Sequence, residues 1–121
     1  MLRRMLPILL VTLSAPALAA EPQVIEIKLE SYTIKPDSIT VKVGQPVTLK
    51  VRNEATFIPH NLVIKAPNAG IDVKLDLSAG KSGEVSFTPT KAGSYEMLCD
   101  KEPPIGLSHK GKGMHGLLVV E

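Results

Sequence analysis

Residues 95–99, Tyr95-Glu96-Met97-Leu98-Cys99, decide how this chain is read, together with the segment C-terminal to them: nine residues, then His109, four more, then Met114. Tyr95, Met97 and Cys99 are two apart and so share one face of an extended strand. If Tyr95 and Met97 point into a core, Cys99 does too, at the strand's end, where the interior meets a connecting loop. That loop carries His109 and Met114, and another strand begins near Gly116. A strand–loop–strand unit of this kind closes three donor side chains around one point. A fourth donor lies far upstream in Pro59-His60-Asn61, where His60 stands at the mouth of a strand whose Leu62 and Ile64 share its face.

The rest of the sequence repeats the two-residue period. Val24, Ile25, Ile27 and Leu29 mix with Glu26, Lys28 and Glu30; Ile39, Val41 and Val43 alternate with Thr40 and Lys42; Val47, Leu49 and Val51 alternate again. Further strands are expected at 61–65, 73–77, 84–87, 94–99 and 116–120. Turn residues separate them: Lys35-Pro36-Asp37-Ser38, Gly44-Gln45-Pro46, Pro67-Asn68-Ala69-Gly70, Ser78 to Gly83 and Pro89 to Gly93. Turn signals at this spacing, with no long helical period, indicate an all-β protein, a single Greek-key β-sandwich of about seven to eight strands. One short helical turn is allowed around residues 68–76. The sequence carries no internal repeat, linker or low-complexity segment.

Residues 1–20 stand apart from this pattern. Arg3 and Arg4 form a charged start, Leu6 to Leu13 a short apolar run, and Ala17-Leu18-Ala19 a small-x-small cleavage signal. The run is too short to span a bilayer comfortably. Together these features read as a secretory signal peptide removed after Ala19 or Ala20, with a single domain over residues 21–121, periplasmic location and no stable membrane insertion after cleavage. Two of the 14 basic side chains lie in this leader, which leaves twelve basic against twelve acidic ones in the mature chain. A neutral domain gives no reason to expect nucleic-acid binding. Export makes disulfides available, yet the chain has one cysteine, which cannot pair with itself.

Taken singly, the candidate residues have plain readings. A lone buried cysteine is usually a small hydrophobe, and a methionine core filler, as Met97 on the inward face should be. Cys99 in register with His60, His109 and Met114 is different: one thiolate, two imidazoles and one thioether form the ligand set of a blue-copper electron-transfer site. Met114 lies among Gly111, Gly113 and Gly116, where core packing explains it poorly. His115 reads as a solvated residue, and Lys101, Lys110 and Lys112 as solvated charges partly cancelled by Asp100 and Glu102. A zinc reading lacks any Cys-x-x-Cys or His-Glu-x-x-His pattern. A binuclear copper site normally has two bridging cysteines. A Cys–His nucleophile pair fits badly with alternating strands and a glycine-bracketed methionine.

These motifs resemble those of the cupredoxins, the superfamily of plastocyanin, azurin and pseudoazurin. Asp37 to Val47 is similar to the family's N-terminal strand pair, Pro59-His60-Asn61-Leu62-Val63-Ile64 to its first ligand motif, and Tyr95-x-Met97-x-Cys99 with His109 and Gly113-Met114-x-Gly116 to its second. The resemblance implies one Cu(I)/Cu(II) ion, with His60, Cys99 and His109 as equatorial ligands and Met114 axial. It also implies that Asn61 hydrogen-bonds across to the Cys99 loop. The Cys-to-His spacer of nine residues is longer than in small cupredoxins and is similar to the type-1 loop of copper nitrite reductases. Those enzymes have a second copper and a second domain, and here only His115 remains beyond the proposed ligands, so the likeness is taken as one of loop geometry. The function implied is a non-enzymatic carrier of single electrons between transient redox partners, a cytochrome or a copper enzyme. The alternative is metal handling, as copper delivery or ferrous iron oxidation and uptake.

Overall fold

Along residues 47–53 the inward positions are Val47, Leu49, Val51 and Asn53, all buried, while Lys50 and Arg52 face water. The same alternation of branched apolar and polar side chains builds the other strands of the computed structural model, which describes residues 7–8, 22–101 and 114–121. The nine strands, in chain order, are β1 (Gln23–Glu30), β2 (Thr33–Lys35), β3 (Ser38–Val41), β4 (Val47–Asn53), β5 (His60–Ala66), β6 (Ile71–Leu77), β7 (Ser82–Phe87), β8 (Gly93–Leu98) and β9 (His115–Val120). The leader's cleavage positions and His109 lie outside the described residues.

The strands form two sheets, in the orders β2-β1-β4-β7 and β3-β9-β8-β5-β6. Both are mixed: β1 runs parallel to β4 and β3 parallel to β9, and the other pairs are antiparallel. Their inner faces share one core that includes Ile27, Leu29, Leu49, Leu62, Ile64, Ile71, Met97 and Leu118. The fold is the all-β sandwich expected, with β2 as the additional strand. Three residues are too few to show a period, and only Ile34 of β2 is buried. Pro67–Ala69 makes the short 3-10 turn, and the strand after it starts at Ile71, two residues before the expected Val73.

Pairing registers set which residues share an end. Asn53, His60, Leu98 and His115 lie at strand termini that the ladders bring to one pole, since Leu98 pairs with His115, Val63 with Leu98, and His60 with Leu77. β5 is unusual in being buried at five consecutive positions, from His60 to Ile64. Its outward residues Asn61 and Val63 are thus buried as well as its inward ones.

Gly116 is required by close approach. A Cβ on Gly116 would sit 2.6 Å from the backbone oxygen of Asp37 and 3.1 Å from Met97 Cε. The same Asp37 oxygen accepts the Leu117 N–H at 2.8 Å, so it cannot retreat without breaking the β3–β9 seam. Gly116→Ala should therefore destabilise the domain by about 1–3 kcal/mol, the usual cost of overpacking a tight contact. Thermal unfolding of the metal-free protein measures this; an unchanged melting temperature would show that the seam yields freely.

Candidate metal centre

The inward register of β4 ends on a polar residue, and that residue builds the approach to the site. Asn53 is fully buried. Its Nδ2 donates to the carbonyl oxygens of Ile58 at 2.9 Å and Leu77 at 3.0 Å, and its Oδ1 accepts the Ala55 N–H at 3.0 Å. The last bond is an Asx turn that reverses the chain after β4. The other two pin the 54–59 loop and the end of β6 to the same amide. Pro59 and His60 are thereby delivered to the pole where β8 ends. Sequence reasoning missed Asn53; the signal was a polar side chain in an otherwise apolar period of two.

His60, Cys99 and Met114 are all fully buried. Cys99 Sγ lies 4.0 Å from His60 Nδ1 and accepts the Asn61 backbone N–H at 3.4 Å. The Cys99 N–H donates to the Met114 carbonyl at 3.1 Å, which fixes the start of β9 beside the thiol. Three of the four expected donors therefore come to one pole, and His109 lies outside the described residues. His115, the neighbour of Met114, is exposed, as expected of a solvated residue.

The Asn61 side chain spans the gap between the two ligand segments. Its Oδ1 accepts the Asp100 N–H at 3.0 Å, and its Nδ2 donates to Asp100 Oδ1 at 2.6 Å and Asp76 Oδ1 at 3.3 Å. This is the bridge to the Cys99 loop that the resemblance implied. Asp76 also receives Lys101 Nζ at 3.2 Å. The Lys101 ammonium, aided by the Asn61 amide and the charge of Lys74, holds the Asp76 carboxyl below its ordinary 3.8 despite partial desolvation. A carboxylate whose folded pKa is depressed stabilises the fold above its unfolded pKa, and that contribution is lost as pH falls through the lower folded value. The side chain is more than half exposed, so the contribution is small.

The donor set fits a soft or borderline metal ion. The separation of 4.0 Å between Sγ and Nδ1 is long for a hydrogen bond. It suits two donors sharing one ion at bonds of about 2.0–2.3 Å. A thiol, an imidazole and a thioether together select copper over hard cations, which prefer oxygen.

The family profile for the cupredoxin-like domain matches residues 3–120. The chain belongs to that family. Among solved structures, the cupredoxin resembles auracyanin from the photosynthetic bacterium Roseiflexus castenholzii, solved in its dithionite-reduced form, at 26% identity and a TM-score of 0.68, over 84% of this chain and 98% of that one. It is similar to the same degree, 26% and 0.65 over 84% and 100%, to auracyanin A, a "blue" copper protein from the green thermophilic photosynthetic bacterium Chloroflexus aurantiacus. A copper-containing nitrite reductase from Thermus scotoductus shares the fold at 21% identity and a TM-score of 0.62; the match covers 84% of this chain and 28% of that much longer one. No curated protein sequence matches the chain.

The role of Asn53 is directly testable. Asn53→Ala strands the Ile58 and Leu77 carbonyls and the Ala55 N–H, each at a cost of about 1–3 kcal/mol when left unsatisfied in the interior. The metal-free variant should melt well below wild type, with the largest chemical-shift changes at residues 55–60 and 77. Changes spread evenly over both sheets would show that the amide does not specifically hold the His60 approach.

Proposed function

We propose that this cupredoxin is a periplasmic, mononuclear type-1 copper protein that carries single electrons between redox partners, exported by a leader over residues 1–20 and functional as the domain 21–121. His60, Cys99, His109 and Met114 would hold the ion. The observation that carries this reading is the buried Cys99 sulfur, 4.0 Å from His60 Nδ1 and held by the Asn61 N–H. The 26% identity to two auracyanins, one described as a "blue" copper protein, supports it.

When bound, copper supplies the one-electron Cu(I)/Cu(II) couple. The protein's part is to hold the Cys99 thiol and the His60 imidazole at one buried point. His60 sits in a strand buried on both faces. Cys99 is tied by its N–H to Met114 and by its sulfur to Asn61. Hydrogen bonding at the sulfur and the Met114 thioether tune the potential.

The optical and electron paramagnetic resonance spectra of the copper-loaded mature protein test the reading. An intense visible charge-transfer band should appear with Cu(II) and vanish in Cys99→Ser, while the sandwich stays folded. Met114→Leu should keep copper and raise the reduction potential, because a donor to Cu(II) is lost; His115→Ala should leave both unchanged. A colourless Cu(II)-loaded wild type would sink the proposal. Transfer of copper to a metal-free acceptor in place of electron exchange would mark metal handling instead.

Electron exchange has a candidate contact surface at the same pole. Phe57 is 87% exposed, three residues before His60, with exposed Pro59 between them. An aromatic ring held in water beside a buried ligand suits a small, apolar contact that a transient redox partner makes and releases. The mature chain's neutral balance leaves little long-range steering. Phe57→Asp should slow exchange with the partner about tenfold or more, as truncating an aromatic anchor does, without changing the copper spectrum. An unchanged exchange rate would move the contact away from this loop.

A further inference from the structure

Asp76 and Lys101 lie on the outer surface, in different segments, and meet at the Asn61 amide. Asp76 is on β6, the edge strand of its sheet, directly opposite Asn61 in the β5–β6 ladder. Lys101 is two residues beyond Cys99. As an ion pair alone they would carry little weight, since their side chains are 57% and 34% exposed and exposed pairs contribute little. Their geometry matters because Asp76 Oδ1 takes both the Lys101 ammonium at 3.2 Å and the Asn61 Nδ2 at 3.3 Å.

An amide can be turned over, exchanging its oxygen for its nitrogen. Here both carboxylates, Asp100 and Asp76, face Nδ2, and the Asp100 N–H faces Oδ1. A half-turn would point the carbonyl oxygen at two carboxylates and the NH2 group at an N–H donor. Two carboxylates converging on one NH2 group also repel each other, and the Lys101 charge offsets that repulsion. Asp100 sets the orientation of the Asn61 side chain through its N–H and its carboxylate, and the Asp76–Lys101 pair holds the second Nδ2 proton and so steadies that orientation. That orientation fixes the distance from β5 to the residue after Cys99. The Asn61 backbone N–H is thereby kept on the Cys99 sulfur at 3.4 Å.

We propose that Asp76 and Lys101 are positioning residues for the Cys99 thiolate: they steady the Asn61 amide and so hold the N–H···S bond that tunes the site. The effect on potential rests on the type-1 copper reading above; the clamp itself does not. Its sign distinguishes it from simple charge. A hydrogen bond to sulfur withdraws electron density from the thiolate and favours Cu(I), so losing it lowers the potential. Removing either clamp residue should lower the potential. A through-space charge effect would instead raise it for Asp76→Ala and lower it for Lys101→Met.

The experiment uses the full mature domain in two forms. In the metal-free protein, amide exchange at Asn61 and the alkylation rate of Cys99 are measured for wild type, Asp76→Ala, Lys101→Met, the double variant and Asp76→Asn. Exchange at Asn61 should rise about threefold to tenfold in the first two, the scale of one ordinary hydrogen bond. Cys99 alkylation should rise with it. The double variant should add little, and Asp76→Asn, which keeps an acceptor for Nδ2, should stay near wild type. In the copper-loaded protein, potentials are read at about 1 M salt, where exposed charges are screened within about 3 Å. Both single variants should shift downward. Unchanged Asn61 exchange in both, or shifts of opposite sign at high salt, would overturn the proposal. If wild type takes up no copper, the type-1 reading falls alone, and the exchange and alkylation rates still decide the clamp.

Discussion

A thiol placed one residue beyond β8, in that strand's inward register, is the constraint on which the rest of this molecule depends. Cys99 is buried because the period of Tyr95 and Met97 carries it inward, past the strand's last residue, Leu98. Two other segments meet it there. Asn61 donates its N–H to the sulfur, and Met114 offers its carbonyl to the Cys99 N–H. Each of those residues stands at or beside the start of its own strand, β5 and β9. Strand lengths and registers in the five-stranded sheet are thus tied to one sulfur atom: a slip of one residue in β8 would turn Cys99 to the outside and Leu98 to the core.

Side-chain amides tie both poles of the sandwich. At the far pole, backbone groups pair with one another, Gln23 with Pro46, Val43 with Glu121, Gly44 with Pro89, and Glu121 with Val41, all at 2.8–2.9 Å. There the Gln23 amide also takes the Lys42 N–H at 2.9 Å and donates to the Lys42 carbonyl at 3.3 Å. At the donor pole two buried asparagine amides join more segments. Asn53 gathers Ile58, Leu77 and Ala55; Asn61 gathers Asp100 and Asp76. A side-chain amide offers both donors and acceptors at fixed spacing. Asn53 can therefore join β4, the 54–59 loop and the end of β6, which no ladder connects, and Asn61 reinforces with side-chain bonds the seams that β5 already makes with β6 and β8.

Periodicity explains much of what the sequence disclosed. Eight strands were legible because residues such as Ile39, Val41, Leu49 and Leu118 repeat at two, and period is local information. Cys99 and Met114 stood out as candidate donors because a chain with one cysteine offers Cys99 no disulfide partner and because glycines bracket Met114. The strand β2 was hidden, since three residues with one buried side chain carry no period. Asn53 was hidden for a different reason: it lies in register but is polar, and only the loop it captures shows why. The Asp76–Lys101 contact bridges positions with no sequence proximity or motif, so it exists only once β6 and the Cys99 segment are placed side by side.

The proposed metal centre and the proposed partner contact at Phe57 share the donor pole. The buried donors are held by bonds directed inward and sideways, along β5, β8 and β6, none of which passes through the 54–59 loop's outer side. Asn53 grips that loop from beneath, at the Ile58 carbonyl, while the neighbouring Phe57 ring projects into water. A partner pressing on Phe57 therefore meets a loop anchored from the core side, and the Asn61 contacts to Cys99 and Asp100 lie on separate atoms. The Asn53 bond to the Ile58 carbonyl lies between Phe57 and His60 along the chain, so the loop that carries the exposed ring is anchored before it reaches the buried imidazole. That anchor arises from one buried amide placed where a valine or leucine would have continued the strand.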